Sequence, residues 1–227
     1  MSFTLLMDGA NADVFRSLSQ FLPLDGVTTN PSILAKNTTI SAEEQLVRIN
    51  EVLSPNQPLH VQAIAETVDG IRKEAEQIRN AFEREICIKV PVSTEGMKAI
   101  KHLVQDGVTI TATGIFTTQQ AFLAAKAGAS YVAPYVNRID IQHGNSMEVI
   151  RRIRQLFDTY GMPARILAAS FKNVRQIEEA MLAGVHEVTV APDLLEVLLN
   201  HQGTDAAVKQ FTNEFSNAFG EGKTLFE

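Results

Sequence analysis

The chain has 227 residues, 45% hydrophobic and 20% charged, with 13 glycines and 8 prolines dispersed along it, the makeup of one soluble globular domain with a sizeable core. A net charge of -6 without a basic cluster excludes nucleic acid and anionic membrane as expected partners, although one or two placed cations suffice for a small anionic substrate. No apolar run approaches the ~20 residues that cross a bilayer, and MSFTLLMDGA has neither a basic segment nor a cleavage site. Cys87 is the single cysteine, so no intrachain disulfide can form and a reducing cytoplasm is the expected location.

Taken in chain order, TLLMD (4–8) and GVTTN (26–30) read as short strands bounded by turn residues. Ser41 and Glu44 then have the spacing of a capping box at a helix start. LHVQAI (59–64) is a third strand, followed by Val68, Ile71, Ala75, Ile78 and Phe82 on one helical face. ICIKVPV (86–92) and VTITATG (108–114) are the next two strands, with Gly107 between them where a helix must end in a left-handed residue. Gly128 precedes YVAPYV (131–136) in the same way, and Val149, Ile150, Ile153, Leu156 and Phe157 mark the following helix. ARILAAS (164–170), a helix ending at Gly184, EVTVA (187–191) and the helical LLEVLLNH (194–201) complete the pattern.

Continuous apolar strands alternating with amphipathic helices specify a parallel sheet covered by helices. Eight such units in this length predict a (β/α)8 TIM barrel as one domain over 1–227; no glycine-rich fingerprint follows the first strand to favour an open sheet. DAAVKQFTNEFSNAF (205–219) is then an extra C-terminal helix, and its stripe of Val208, Phe211, Phe215 and Phe219 must be covered, by its own barrel or by a neighbouring subunit.

Reactive groups in such a barrel gather at the C-terminal strand ends. There the sequence places Asp8, then Thr28, Thr29 and Asn30, then Gln62, Lys89, Thr111 and Thr113, then Tyr135 with Asn137 and Arg138, and finally Ser170 with Lys172. Each has a plainer reading. Asp8 and Asn30 suit helix N-caps, the latter with Pro31 following. The threonines suit β-branched packing, and His60 is either a satisfied barrel histidine or a ligand contact. Arg138 and Lys172 are solvated loop charges or, as the late strands of barrels suggest, an anion site.

Lys89 is the sharpest signal. Period-2 alternation sends Ile86, Ile88 and Val90 toward the helices and Cys87, Lys89 and Pro91 toward the axis. Burial lowers an amine's pKa, and a free amine attacks carbonyls. The alternative is a core ion pair with Asp8, which adds little stability. The five histidines are scattered without ligand spacing, so no metal or other cofactor is expected.

GVTTNPSIL (26–34), VQAIAET (61–67), IKVPVSTEG (88–96), AGASYVAPYVNRID (127–140) and ILAASFKN (166–173) together resemble the transaldolase family, and within it the small fructose-6-phosphate aldolase branch. The resemblance runs essentially end to end. It implies that Lys89 forms a Schiff base with a ketose and Asp8 moves the proton at the cleaved bond. Asn30 would hold donor hydroxyls with Thr28 and His60 beside it, and Arg138, Ser170 and Lys172 would clamp a phosphate or sulfonate. Gln62 and Tyr135, with Thr113, match the aldolase branch rather than the glutamate and phenylalanine of classical transaldolases, which implies a water held for hydrolysis. His60 is a departure from the branch. The resemblance further implies small-molecule ketose and aldehyde substrates, no cofactor, and a pentamer or decamer with the last helix crossing to a neighbour. It leaves fructose 6-phosphate, a 6-sulfonated ketose, or a non-catalytic sugar-phosphate-binding role as readings to separate.

Overall fold

The computed structural model describes residues 3–226; Met1, Ser2 and Glu227 of the expected 1–227 domain lie outside the described residues. Chain order runs β1 (Thr4–Asp8), α1 (Ala12–Ser19), β2 (Gly26–Thr28), α2 (Pro31–Leu34), α3 (Ala42–Val52), β3 (Leu59–Gln62) and α4 (Val68–Asn80). It continues with β4 (Ile86–Pro91), α5 (Thr94–Gln105), β5 (Ile110–Ile115), α6 (Thr118–Lys126), β6 (Tyr131–Pro134), α7 (Val136–Ile141) and α8 (Ser146–Tyr160). It closes with β7 (Arg165–Ala168), α9 (Val174–Leu182), β8 (Glu187–Val190), α10 (Pro192–Leu199) and α11 (Gln202–Phe219). The eight strands pair in sequential order, all parallel, and β8 returns to β1, so the sheet is a closed barrel. This is the (β/α)8 TIM barrel with an extra C-terminal helix that the alternation predicts.

Two apolar faces divide the work. Ile86, Ile88 and Val90 join a core that also contains Ile71 of α4 and Ile100 of α5, whereas Lys89 between them faces the other way. Each such aliphatic side chain stabilises by about 2 kcal/mol through burial, which fixes the register of β4 and with it the direction of Lys89. The register then brings Gln62, Lys89 and Thr111 level on three adjacent strands, and Asp8 level with Thr28 on two others.

Local chemistry sets the helix ends. Gly107, Gly128 and Gly184 are left-handed, at φ of 74°, 99° and 95°, as the sequence pattern requires. Ser41 caps α3 through Glu44 N at 3.0 Å, but the expected reciprocal half is missing: the Glu44 carboxylate is taken by Arg48 at 2.6 Å. Asp8 is not a helix cap either; Asn11 caps α1, bonding Asp13 N and Val14 N. Strand β2 ends two residues before Asn30 because Asn30 is committed to capping α2, accepting from Ile33 N at 3.1 Å with Pro31 opening the helix. The fifth strand begins at Ile110 rather than 108, since Val108 N closes the end of α5 by donating to Leu103 O. Among the described residues no helix is long and apolar enough to cross a membrane.

Candidate active site

The C-terminal strand ends surround a cavity of about 390 Å³ lined by Asp8, Asn30, Gln62, Lys89, Tyr135, Arg138 and Ser170, together with Pro31, Ser32 and Ala169. Seven expected site residues thus meet in one space, drawn from β1, β3, β4, the β2–α2 junction, α7 and the loops that follow β6 and β7.

Lys89 is 5% exposed, and its Nζ donates to Thr29 O at 2.6 Å. Burial holds its pKa below the usual lysine value, with the nearby Asp8 carboxylate opposing that shift. Asp8 does not lock the amine in a contact pair: its Oδ1 accepts from Thr28 Oγ1 at 2.7 Å, and Thr28 in turn bonds Thr189 Oγ1 at 2.7 Å. Burial raises the Asp8 pKa, while Lys89, the Thr28 hydroxyl, Lys36 and Arg138 pull it back down. An amine of lowered pKa and a carboxyl of raised pKa therefore face one cavity, their proton affinities moved toward each other.

Thr113 and Tyr135 form a pair at 2.9 Å between hydroxyl oxygens, and Phe116 meets the Tyr135 ring edge-on at 5.8 Å. Gln62 opens into the same cavity. The Arg138 guanidinium lies 4.9 Å above the Tyr135 ring. Ser170, in the same cavity lining, has a left-handed conformation, φ 63°, uncommon for a residue with a side chain. The turn is held by hydrogen bonds from Val136 N to Ala169 O at 2.9 Å and from Asn137 N to Ser170 O at 2.8 Å, so α7 and the end of β7 form one unit.

Four expected residues stand outside the cavity lining. Thr113 is buried and meets the cavity only through its bond to Tyr135. Lys172 is exposed and outside its lining. Thr28 is fully buried beneath Asp8 and reaches the cavity through it. His60, also fully buried, bonds Thr111 Oγ1 through Nδ1 at 2.8 Å and meets the Tyr131 ring edge-on at 5.0 Å. Its Nε2 has no hydrogen-bond partner, and burial together with the Lys89 charge pushes its pKa down to about 3, so it is a neutral imidazole. Thr189 and Lys36 are the residues that sequence reasoning missed. The alternation in EVTV already points Thr189 inward, whereas nothing in the sequence brings Lys36, on the far side of a four-residue helix, near Asp8. Among the described residues, no group of three or more His, Cys, Asp or Glu side chains is arranged to hold a metal ion.

Fold and site together define a closed parallel (β/α)8 barrel with a lysine buried among the polar groups of its C-terminal rim. The model of the transaldolase/fructose-6-phosphate aldolase family matches residues 5–225. The chain is 40% identical over 210 residues to a probable fructose-6-phosphate aldolase of Streptococcus pneumoniae (strain ATCC 700669 / Spain 23F-1), covering 92% of this chain and 95% of that one. The chain belongs to the transaldolase/fructose-6-phosphate aldolase family. Solved structures of flavocytochrome b2 variants, with sulfite or benzoylformate bound, superimpose with TM-scores of 0.61 and 0.59 at 13% identity. They cover 86% of this chain, which spans 57% of theirs, and share the barrel fold alone.

Proposed function

We propose that this chain is a lysine-dependent aldolase or transaldolase that breaks or remakes the C3–C4 bond of a ketose carrying an anion at C6, with fructose 6-phosphate as the leading substrate. The observation that carries the reading is Lys89: an amine of lowered basicity, inside the barrel, opening into a cavity it shares with Asp8. The amine adds to the C2 carbonyl, water leaves, and the iminium becomes the electron sink. Asp8 takes the proton of the C4 hydroxyl, the C3–C4 electron pair flows into the iminium, and an enamine and a three-carbon aldehyde result. Protonation at C3 and addition of water then return Lys89 and free dihydroxyacetone; capture of the enamine by another aldehyde gives transfer instead. Gln62, Thr113 and Tyr135 are assigned to a water between Asp8 and the substrate, which the paired hydroxyls of Thr113 and Tyr135 can hold and orient. Asn30, which lines the cavity with Lys89, is assigned to the donor hydroxyls; Thr28 supports Asp8, and His60 is assigned to a place beside the donor site. Arg138 and Ser170 are assigned to the anionic tail, with Lys172 at its outer edge.

A sulfonated ketose is a second reading with an observation of its own. Arg138 and Lys89 are the cations of the cavity lining, and Lys89 is consumed by the reaction. One remaining guanidinium matches a singly charged sulfonate as well as a phosphate. We further assign the chain to a homo-oligomer, a pentamer or decamer, and to the cytoplasm, where Cys87 stays a thiol. The non-catalytic alternative predicts an ordinary lysine pKa.

Borohydride reduction in the presence of fructose 6-phosphate, or of its sulfonate analogue, tests the reading. A single mass adduct on Lys89 is expected; an adduct elsewhere, or none with either sugar, overturns it. Release of free dihydroxyacetone, compared with transfer to an added aldehyde, then separates aldolase from transaldolase. Tyr135→Phe should lower release more than transfer, about tenfold or more as is usual for loss of an acid–base relay; equal losses would remove the water assignment.

A further inference from the structure

A second cavity, of about 750 Å³, adjoins the first, and Pro31 and Gln62 line both. It lies between the loop after β3 and the loop after β4, lined by Ile64, Ala65, Glu66, Ile71, Ser93 and Glu95 among others. Both sides are fixed. Ile64 N and Ala65 N donate to Glu74 Oε2 at 2.8 and 2.9 Å, which pins the first loop to α4. On the other side Ser93 caps α5 through Gly96 N at 3.0 Å. Gly96 also sits so close to β4 that an added Cβ would lie 1.9 Å from Pro91 O. The space is therefore part of the folded rim rather than the product of a moving loop.

Charge is sorted across the two compartments. Around Asp8 the cations are Lys89, Lys36 and Arg138. The second cavity carries Glu66 and Glu95 and, in its lining, neither lysine nor arginine. Glu95 is bonded to Lys98 at 2.6 Å, so Glu66 supplies the uncompensated charge. Of the two fragments made by cleavage at C3–C4, the aldehyde keeps the anion and the three-carbon ketone is neutral. The neutral fragment is the one attached to Lys89, level with Gln62, which lines both cavities; the anionic one is drawn toward Arg138.

We propose that this second cavity is the passage by which the neutral ketone fragment enters and leaves Lys89, and that Glu66 turns anionic carbonyl compounds away from it. The inference rests on the aldolase reading above and adds to it a route and a specificity-determining residue. It explains how a ketone can leave while the anionic aldehyde still occupies the cationic mouth. It also orients the sugar before any covalent step, because the wrong end meets a carboxylate.

The test uses Ile64→Trp and Glu66→Lys in the full chain. Ile64 is 67% exposed, so the larger ring fits without disturbing the core. In Ile64→Trp, borohydride trapping by free dihydroxyacetone and steady-state release of dihydroxyacetone should both fall about tenfold, since release commonly limits turnover. Trapping by fructose 6-phosphate should stay within a factor of about two in the same variant, because the ketose uses the other mouth. In Glu66→Lys, trapping of dihydroxyacetone phosphate should rise about tenfold at low salt and lose the gain in 1 M salt, as a screened charge effect must. Wild-type dihydroxyacetone rates in Ile64→Trp, equal losses with both sugars, or unchanged dihydroxyacetone phosphate trapping in Glu66→Lys would each overturn the passage. Absence of any Lys89 adduct in the wild type would instead remove the aldolase reading itself.

Discussion

His60 and Lys89 are two bases that the barrel keeps from holding protons as they would in water. For His60 the consequence for stability has a definite sign. Its pKa is about 3 in the folded state against the ordinary 6.5. Between those values the unfolded chain binds a proton that the folded chain refuses. Stability from this residue is therefore full above pH 6.5 and is lost as the pH falls, at roughly 1.4 kcal/mol per unit. Asp8 works in the opposite sense, because burial raises its pKa and lets the folded state keep a proton that the unfolded one releases. The difference between wild type and His60→Gln isolates the histidine: between pH 6.5 and 4 the variant's thermal midpoint should fall less steeply, and parallel curves would refute the neutral imidazole. Lys89 carries a catalytic counterpart. Asp8 is the charge that holds its basicity up against burial. Asp8→Asn should therefore move the pH midpoint of borohydride trapping on Lys89 toward acid, even as C–C cleavage is lost. A midpoint that stays in place would mean the two groups do not sense each other.

The junction between the end of β7 and α7 shows how an element positions chemistry, and what a sequence conceals. ARILAAS reads as one strand through Ser170, yet the strand ends at Ala168, Ala169 adds one isolated bridge to Tyr135, and the chain turns left-handed at Ser170. A serine in that conformation costs on the order of 1 kcal/mol relative to glycine. The backbone bonds from Val136 and Asn137 make up for it and hold Ser170 in the cavity lining that it shares with Arg138. Ser170→Gly should accordingly raise stability by about 1 kcal/mol while weakening binding of the anionic sugar about tenfold, the usual loss for a hydrogen bond to a charged group. Ser170→Ala should lose the same affinity without the gain in stability. Equal stability of the two variants would argue against strain at this turn; wild-type affinity in both would remove the hydroxyl from the anion site. The sequence could not reveal the turn, because serine carries no mark of positive φ as glycine does. What it revealed well were features with strong local signatures: the period-2 burial around Lys89, the left-handed glycines before three strands, and the Asn-Pro start of α2. It was weakest where a contact depends on distant chain, as with Glu44, drawn away from its capping box by Arg48, or Lys36, brought near Asp8 by the turn of α2.

At the scale of the whole molecule, the barrel is self-sufficient and α11 is not. Core residues run from Met7 to Leu195, and no residue of α11 is buried. Val208, Phe211 and Phe219 are 58%, 64% and 68% exposed, and Phe215 and Phe219 meet each other with ring centroids 4.8 Å apart. An eighteen-residue helix with such a stripe is not stable by propensity alone and needs a surface to cover it. No residue of α11 finds that surface within the described chain; the homo-oligomer proposed above would supply it from a neighbouring subunit. Each phenylalanine so covered would stabilise the assembly by about 2 kcal/mol, and a ring of subunits repeats the gain at every interface. Phe211→Glu combined with Phe219→Glu should therefore reduce the particle mass measured by light scattering to that of a smaller species. The cost falls on assembly and not on the barrel, because neither side chain touches its core. In that smaller species borohydride trapping on Lys89 should persist within a factor of about two, since Lys89, Asp8 and Gln62 all come from one chain. An unchanged mass would return α11 to its own barrel; loss of trapping along with mass would mean that a neighbour completes the site.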